Sequence, residues 1–248
     1  MLKAIVIDLD DTLLRRDKTI SQFTRQTLIN CRLKGVKTIF ATGRGTSAGA
    51  LVPYGLFDGR IFMNGALAFA DDAVIYKKTI PSQIFVPFLK QMSALGIDAA
   101  AEIGGVHFAN FDVSRRWERE FVITDFDDMA ENSEKLYAVI ETPEQKRQIL
   151  ERLPAGLNIH FTRDNLALMT HGEATKCRAL AAVLSCWDIP FSGVAAFGDD
   201  VNDKELLERC GVGIAMENAL DEVKQAAGEV CGDCDHDGVA KWLAPHLL

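Results

Sequence analysis

The sequence predicts an α/β fold: a doubly wound, Rossmann-like parallel-sheet core interrupted by an inserted α+β unit. Three observations carry this. An almost wholly apolar run, residues 2–7, breaks off into Asp8, Asp10 and Asp11. A central strand buried on both faces does this where it meets a ligand crevice. Strand-like and helix-like segments alternate in both flanks of the chain, the β-α-β rhythm of right-handed crossovers. Between them, short strands with exposed alternation replace that rhythm. The expected division is a core of residues 1–81 and 172–248 with an inserted domain of residues 82–171.

Val6, Ile7 and the residues before them form the first strand. Residues 21–34 carry helical apolar spacing (Phe23, Thr27, Leu28, Cys31), with Ser21 as N-cap and Gly35 as the stop. Residues 36–41 form a second buried strand. Residues 60–63, 66–70 and 74–79 read as short strands, with Asn64-Gly65 and Asp71-Asp72 in the turns. The inserted unit is read as a helix over 82–95, strands at 98–102, 106–110, 136–141, 158–161 and 166–169, and a helix over 143–153. Its sheet is expected to be covered on one face only. Arg115 and Arg116 read as a solvated helix face, and Trp117 and Phe121, at helical spacing, as packing residues. Helices at 174–186, 204–210 and 219–227 then alternate with strands at 193–197 and 212–216. Residues 239–247 close the chain.

Composition narrows the function. Apolar residues make up 48% of 248, ample for a buried core, and the formal net charge is −8. That charge argues against nucleic acid and anionic membrane surfaces as partners, but not against a small anionic ligand at one local site. No apolar run approaches the roughly 18 residues of a membrane span. The N-terminal run is too short for a secretion signal and Asp8 interrupts it, so a cytoplasmic location is expected. The six cysteines are expected to be reduced. Cys231 and Cys234 have C-x-x-C spacing, but no second pair completes a zinc site, so free thiols are the reading.

Four polar clusters fall where strands run out or a helix starts: Asp8/Asp10/Thr12, Thr42-Gly43-Arg44, Lys176, and Asp199-Asp200-Val201-Asn202-Asp203. Singly, each has a bland explanation as a cap, turn or solvated charge. Two carboxylates held together at Asp8 and Asp10 repel unless a cation or proton separates them. In this order and spacing the clusters resemble the haloacid dehalogenase superfamily of phosphatases, most closely the Cof-like branch with its inserted α/β cap. The stretches 61–66 and 235–240 are also similar to that branch.

The resemblance implies a Mg²⁺-dependent phosphatase of small phosphorylated metabolites (sugar phosphate, nucleotide or cofactor phosphate) working through an aspartyl-phosphate. It implies Asp8 as nucleophile and metal ligand. Asp10 would be the general acid/base, binding metal through its main-chain carbonyl with its carboxyl free. Asp199 would be the second metal carboxylate, with Asp200 in the outer shell. Thr42, the amides around Gly43 at a helix start, Lys176 and Asn202 would hold the phosphate. Asn202 and Asp203 would also orient the ligands or Lys176. The side chain of Asp11, where many relatives carry Gly, is expected to point away from the phosphate. The cap would read the rest of the substrate, with His107, Asn110, Arg115, Arg116, His160, Arg163 and His171 as candidates.

Competing functions fit less well. A phospho-acceptor receiver domain needs about half this length and has no place for the insertion. A phosphotransferase or mutase would share every core residue. A binding protein that had lost catalysis would not need Asp8, Asp10, Lys176 and Asp199 intact. Substrate identity and oligomeric state are left open by the sequence.

Overall fold

The structure, a computed structural model, describes residues 2–162 and 164–247. It divides into two compact units, Met1–Lys77 with Thr175–Leu248, and Lys78–Ala174. The second unit therefore begins four residues earlier and ends three later than the boundaries read from the sequence.

The first unit opens with β1 (Ala4–Ile7), α1 (Gln22–Leu33), β2 (Lys37–Ala41), β3 (Gly59–Phe62), β4 (Leu67–Ala70) and β5 (Ala73–Lys77). The inserted unit contains α2 (Ser82–Ala94), β6 (Ala99–Ile103), β7 (Val106–Ala109), β8 (Phe121–Ile123), β9 (Lys135–Val139), α3 (Pro143–Arg152), β10 (Leu157–Phe161) and β11 (Leu166–His171). The first unit resumes with α4 (Lys176–Ser185), β12 (Val194–Gly198), α5 (Lys204–Arg209), β13 (Val212–Met216), α6 (Asp221–Ala226), β14 (Glu229–Cys231) and α7 (Gly238–His246).

The core sheet runs β14-β13-β12-β1-β2-β3-β4-β5. It is parallel from β14 to β3, and β4 and β5 extend it as an antiparallel hairpin. All four residues of β1 are fully buried between β12 and β2, which explains the unbroken apolar run. Strand order reverses at β1. That switch point places the ends of β1, β2 and β12 around one crevice.

On α1, Ser21 caps the first turn by accepting from the Thr24 amide at 3.0 Å. The buried stripe is Thr24, Thr27, Leu28 and Cys31, and Phe23, expected in it, is 46% exposed. Thr24 replaces it because its hydroxyl reaches Asp237.

Gly65 sits at φ +100° against the start of α4, where a Cβ would lie 2.2 Å from the Thr175 carbonyl oxygen. No L side chain fits there without moving Thr175, the residue before Lys176. Gly65→Ala is therefore expected to lower both the melting temperature and kcat, checked by calorimetry and phosphate release.

The second sheet runs β10-β11-β9-β6-β7-β8. One face packs α2 and α3 through Phe85, Phe88, Leu89, Met92 and Ile149. The opposite face is not bare, as the one-sided reading expected. Phe111, Val113 and Trp117 fold over Ala100, Tyr137 and Val139 there. This corrects a second expectation. Residues 115–121 form no helix: a short 3-10 turn ends at Arg115 and an extended strand, β8, begins at Phe121. Trp117 and Phe121 do pack, but from a turn and a strand.

Candidate active site

Asp8 follows β1 directly, and its amide donates to the Phe197 carbonyl of neighbouring β12 at 3.0 Å. Lys176, the first residue of α4, is buried and sends its ammonium to Asp8 Oδ1 at 2.6 Å and Asp203 Oδ1 at 2.7 Å. Asn202 Oδ1 stands 3.4 Å from the same ammonium. The other oxygen of Asp203 accepts from the amides of Asp199 and Asp200, both at 3.2 Å. Asp203 is thereby committed on both oxygens, as a holder of Lys176 and of the turn after β12. Asp199 projects from that turn and accepts from Thr12 Oγ1 at 3.0 Å.

Asp200 caps the short turn that follows, accepting from the Val201 amide at 2.7 Å. Thr42 follows β2 and is fully buried, with its amide on the Ile61 carbonyl and its carbonyl on the Asn64 amide. Its hydroxyl accepts from the Arg44 amide at 3.1 Å. Asn202 Nδ2 donates to Asn64 Oδ1 at 2.9 Å and ties the two sides of the crevice together. Gly43 was expected at a helix start. The chain after it forms only a five-residue 3-10 turn, residues Thr46–Ala50, so this segment brings no long helix start to Gly43.

Asp10 departs most from expectation. Its carboxyl is not free: Arg44 holds it bidentately, Nε to Oδ2 at 2.6 Å and Nη2 to Oδ1 at 2.7 Å. Lys18 adds a contact at 3.0 Å. Burial works to raise its pKa, but Arg44 and then Lys18 outweigh it and hold the group below the usual carboxylate range. The physical reason is the compact crevice, which lets two cations reach one carboxylate. Asp11 lies at φ +57°, a left-handed conformation that suits glycine, and its carbonyl accepts from Asn218 Nδ2 at 2.7 Å.

The charges do not balance at the centre. Oxygens of Asp8, Asp199 and Asp203 all lie within 4.8 Å of one another, and the Lys176 ammonium pairs with two of them, Asp8 and Asp203. Burial pushes Asp8 well above the ordinary range; Lys176 opposes this, and Asp203 and Asp199 reinforce it. Asp199 is pushed up to about 7, by burial and Asp203 against the pull of Thr12 and Lys176. Lys176 stays charged: burial disfavours the ammonium, but Asp203 and Asp8 more than offset it. An oxygen-rich, electron-rich pocket of this kind fits a hard divalent cation. Asp8 and Asp199 are the carboxylates able to hold it, since Asp203 is already committed.

Four residues near the centre were given no individual role at the site from the sequence: Thr12, Lys18, Arg44 and Asn64, the last read only as a turn residue. Thr12 and Arg44 lay inside the recognised clusters, so their types were visible although their partners were not. Lys18 carried no signal, because it reaches Asp10 only through the turn at residues 15–19. In the inserted unit, Asn110 is spent on backbone groups of Ala99 and Ile97, and His171 accepts from the Glu173 amide. His107 is buried against the Tyr137 hydroxyl at 2.8 Å. His160 lies on β10, and Arg115 and Arg116 are exposed. Arg163 lies outside the described residues.

A family model of haloacid dehalogenase-like hydrolases matches residues 5–243. The chain is 28% identical over its full length to the 5-amino-6-(5-phospho-D-ribitylamino)uracil phosphatase YcsE of Bacillus subtilis, covering 96% of that protein. It is also 28% identical, again over its full length, to the HMP-PP phosphatase of Yersinia pseudotuberculosis, covering 98% of it. Among solved structures, the subclass IIB sugar phosphatase BT4131 superposes with a TM-score of 0.86 at 25% identity, over 99% of this chain and all of that one. Because the family match runs from the first strand into the last helix, the chain as a whole belongs to the haloacid dehalogenase-like hydrolases.

Proposed function

We propose that this protein is a Mg²⁺-dependent phosphatase that hydrolyses phosphomonoesters of small metabolites through an aspartyl-phosphate on Asp8. The observation that carries the reading is the buried Asp8–Lys176–Asp203 chain beside Asp199, at the switch point of the sheet. The relatives named above are phosphatases of three different small metabolites, which supports the class and leaves the substrate open. In this reading the first unit is the catalytic core and the inserted unit the cap that selects the substrate. No helix among the described residues is long and apolar enough to cross a membrane.

A carboxylate oxygen of Asp8 attacks phosphorus, and the phosphorus–oxygen bond to the leaving group breaks. Asp10 gives its proton to the departing oxygen and later takes one from the water that cleaves the acyl-phosphate. Lys176 lies where it can stabilise charge on the transferring group, and it favours the ionised form of Asp8 against burial and the neighbouring carboxylates, a shift that a bound cation would complete. Mg²⁺, held by Asp8, Asp199 and the main-chain carbonyl of Asp10, would supply the remaining positive charge at the phosphoryl group. The buried hydroxyl of Thr42 and the side chain of Asn202 are placed to orient phosphate oxygens. Arg44 and Lys18 hold the Asp10 carboxyl in place and favour its ionised form, ready to take the water's proton in the second step; the proton it delivers in the first step is one it takes up from solvent or from the substrate's own phosphate hydroxyl.

Phosphate release from a metabolite panel, with Mg²⁺ and with chelator, tests the reading. Release should fall to background in chelator; unchanged release would sink it. Saturating Mg²⁺, at about 100 times Kd, should stabilise the protein by about 2.7 kcal/mol, or roughly 5–10 °C. Asp199→Asn should lose most of that response.

A further inference from the structure

The loop after β1 doubles back on itself. Leu13 and Leu14 amides return to the carbonyls of Asp8 and Leu9, and a tight turn closes with Arg15 donating to the Thr19 carbonyl at 3.0 Å. Lys18, left-handed at φ +64°, forms the tip and reaches back to Asp10. The geometry of the loop thus sets one of the two cations that grip the Asp10 carboxylate.

The outer side of this loop is held by a segment more than 200 residues away. Arg15 Nη2 donates to both carboxylate oxygens of Asp237, at 3.1 and 3.0 Å. Arg16 donates to Asp235 twice, through its amide at 3.0 Å and its guanidinium at 2.7 Å. Asn218 bridges the same two segments: its Nδ2 serves the Asp11 carbonyl and its Oδ1 accepts from the Cys234 amide at 3.1 Å. One main-chain hydrogen bond and two side-chain pairs fix register as well as distance, which a lone exposed ion pair does not.

The acidic segment is itself built for this. Asp237 is left-handed at φ +59°, and Gly238 packs so closely that a Cβ there would lie 1.9 Å from the Gly232 carbonyl oxygen. A non-glycine residue in that conformation is strained and persists only where its surroundings hold it. Thr24 Oγ1 adds a further hydrogen bond to Asp237 at 3.2 Å. Arg15 also buries an Nε that has no hydrogen-bond partner. Keeping a guanidinium here at that desolvation cost needs a return beyond surface solubility.

We propose that residues 233–237 are a positioning device for the reaction, in which Asp237 and Asp235 grip Arg15 and Arg16 and so fix the loop that places Lys18 against Asp10. This rests on the reading of Asp10 as the proton carrier. Neither aspartate touches the reacting atoms; both are positioning residues.

The test measures kcat, KM, thermal midpoint and amide hydrogen exchange in Asp237→Asn, Arg15→Met, their double variant, Asp235→Asn and Arg15→Lys, each in the full chain with Mg²⁺. Asp237→Asn should lower kcat about tenfold or more, as loss of alignment does, with KM moved by less than about twofold. The double variant should fall no further than the singles, since both break one unit. Arg15→Lys, which keeps the charge, should recover most of kcat. Asp235→Asn, on the more exposed pair, should show the same change to a smaller degree. Amides of residues 11–19 should exchange faster in each variant that loses a pair, while those of β1 do not. Unchanged exchange at residues 11–19 overturns the grip whatever the activity. Faster exchange with unchanged kcat overturns the positioning role. A wild-type protein that releases no phosphate from any substrate overturns the phosphatase reading alone, and the exchange measurements still decide the grip.

Discussion

Asp8→Asn is expected to abolish turnover, by about 10⁴-fold or more, in a protein that folds as well as the wild type or better. The two effects have one origin. Asp8 is buried, with Asp199 and Asp203 adding negative charge beside it, so folding raises its pKa. A group raised in this way favours its neutral form in the folded state. The stability it allows is full below the unfolded value of about 3.9 and is lost as pH rises through the folded value. Asparagine imitates the neutral carboxyl and carries no such loss. In metal-free protein at neutral pH the variant should therefore melt at or above the wild-type temperature. Scanning calorimetry in chelator, paired with phosphate release in Mg²⁺, checks both halves. Near-wild-type activity would remove Asp8 as nucleophile. A large drop in melting temperature would contradict the account of the local charge.

Lys176→Met should be inactive for a different reason and should fold poorly. Methionine is close in volume, so packing around the start of α4 changes little. What changes is that Asp8 and Asp203 lose their shared ammonium inside the protein. Removing one partner of a buried ion pair costs about 3–5 kcal/mol, or roughly 6–20 °C for a chain of this size. Added Mg²⁺ should restore part of that loss, because a cation can replace some of the missing charge, but should not restore activity. Combining Lys176→Met with Asp8→Asn should melt higher than Lys176→Met alone, since one stranded carboxylate has been removed. A Lys176→Met protein as stable as wild type would show that the carboxylates share protons and do not depend on the lysine.

The parts of the fold that were legible are those where burial on both faces imposes an unbroken apolar run. β1, β2 and β12 announce themselves this way, and each run ends in a polar cluster because the sheet edge is where water and ligands begin. The inserted unit was less legible around residues 111–123. Three residues of edge strand, β8, follow a charged stretch, and Trp117 and Phe121 stand four apart on a segment that is not helical. Spacing cannot separate one helical turn from a turn joined to a strand when so few residues are involved. At the site, residue types were readable but pairings were not. Arg44 and Asp10 are 34 positions apart, and only the adjacency of β1 and β2 brings them together. The commitment of both Asp203 oxygens depends on the turn after β12, which no periodicity encodes.

The pairing of β1 with β12, Ala4 opposite Val194, has a consequence for the time course of synthesis. While a ribosome makes residues 42–193, β1 has β2 on one side and nothing on the other. At about 5–20 residues per second, that edge waits for roughly 8–30 s. The contiguous Lys78–Ala174 unit emerges whole during this interval and needs no later residue to close its own sheet. The nascent chain thus carries a finished passenger on an open, strongly apolar edge, the kind of surface that pairs with other chains. Chaperone dependence should accordingly concentrate on chains stalled between residues 175 and 198, and ribosome-bound fragments of those lengths should aggregate on release.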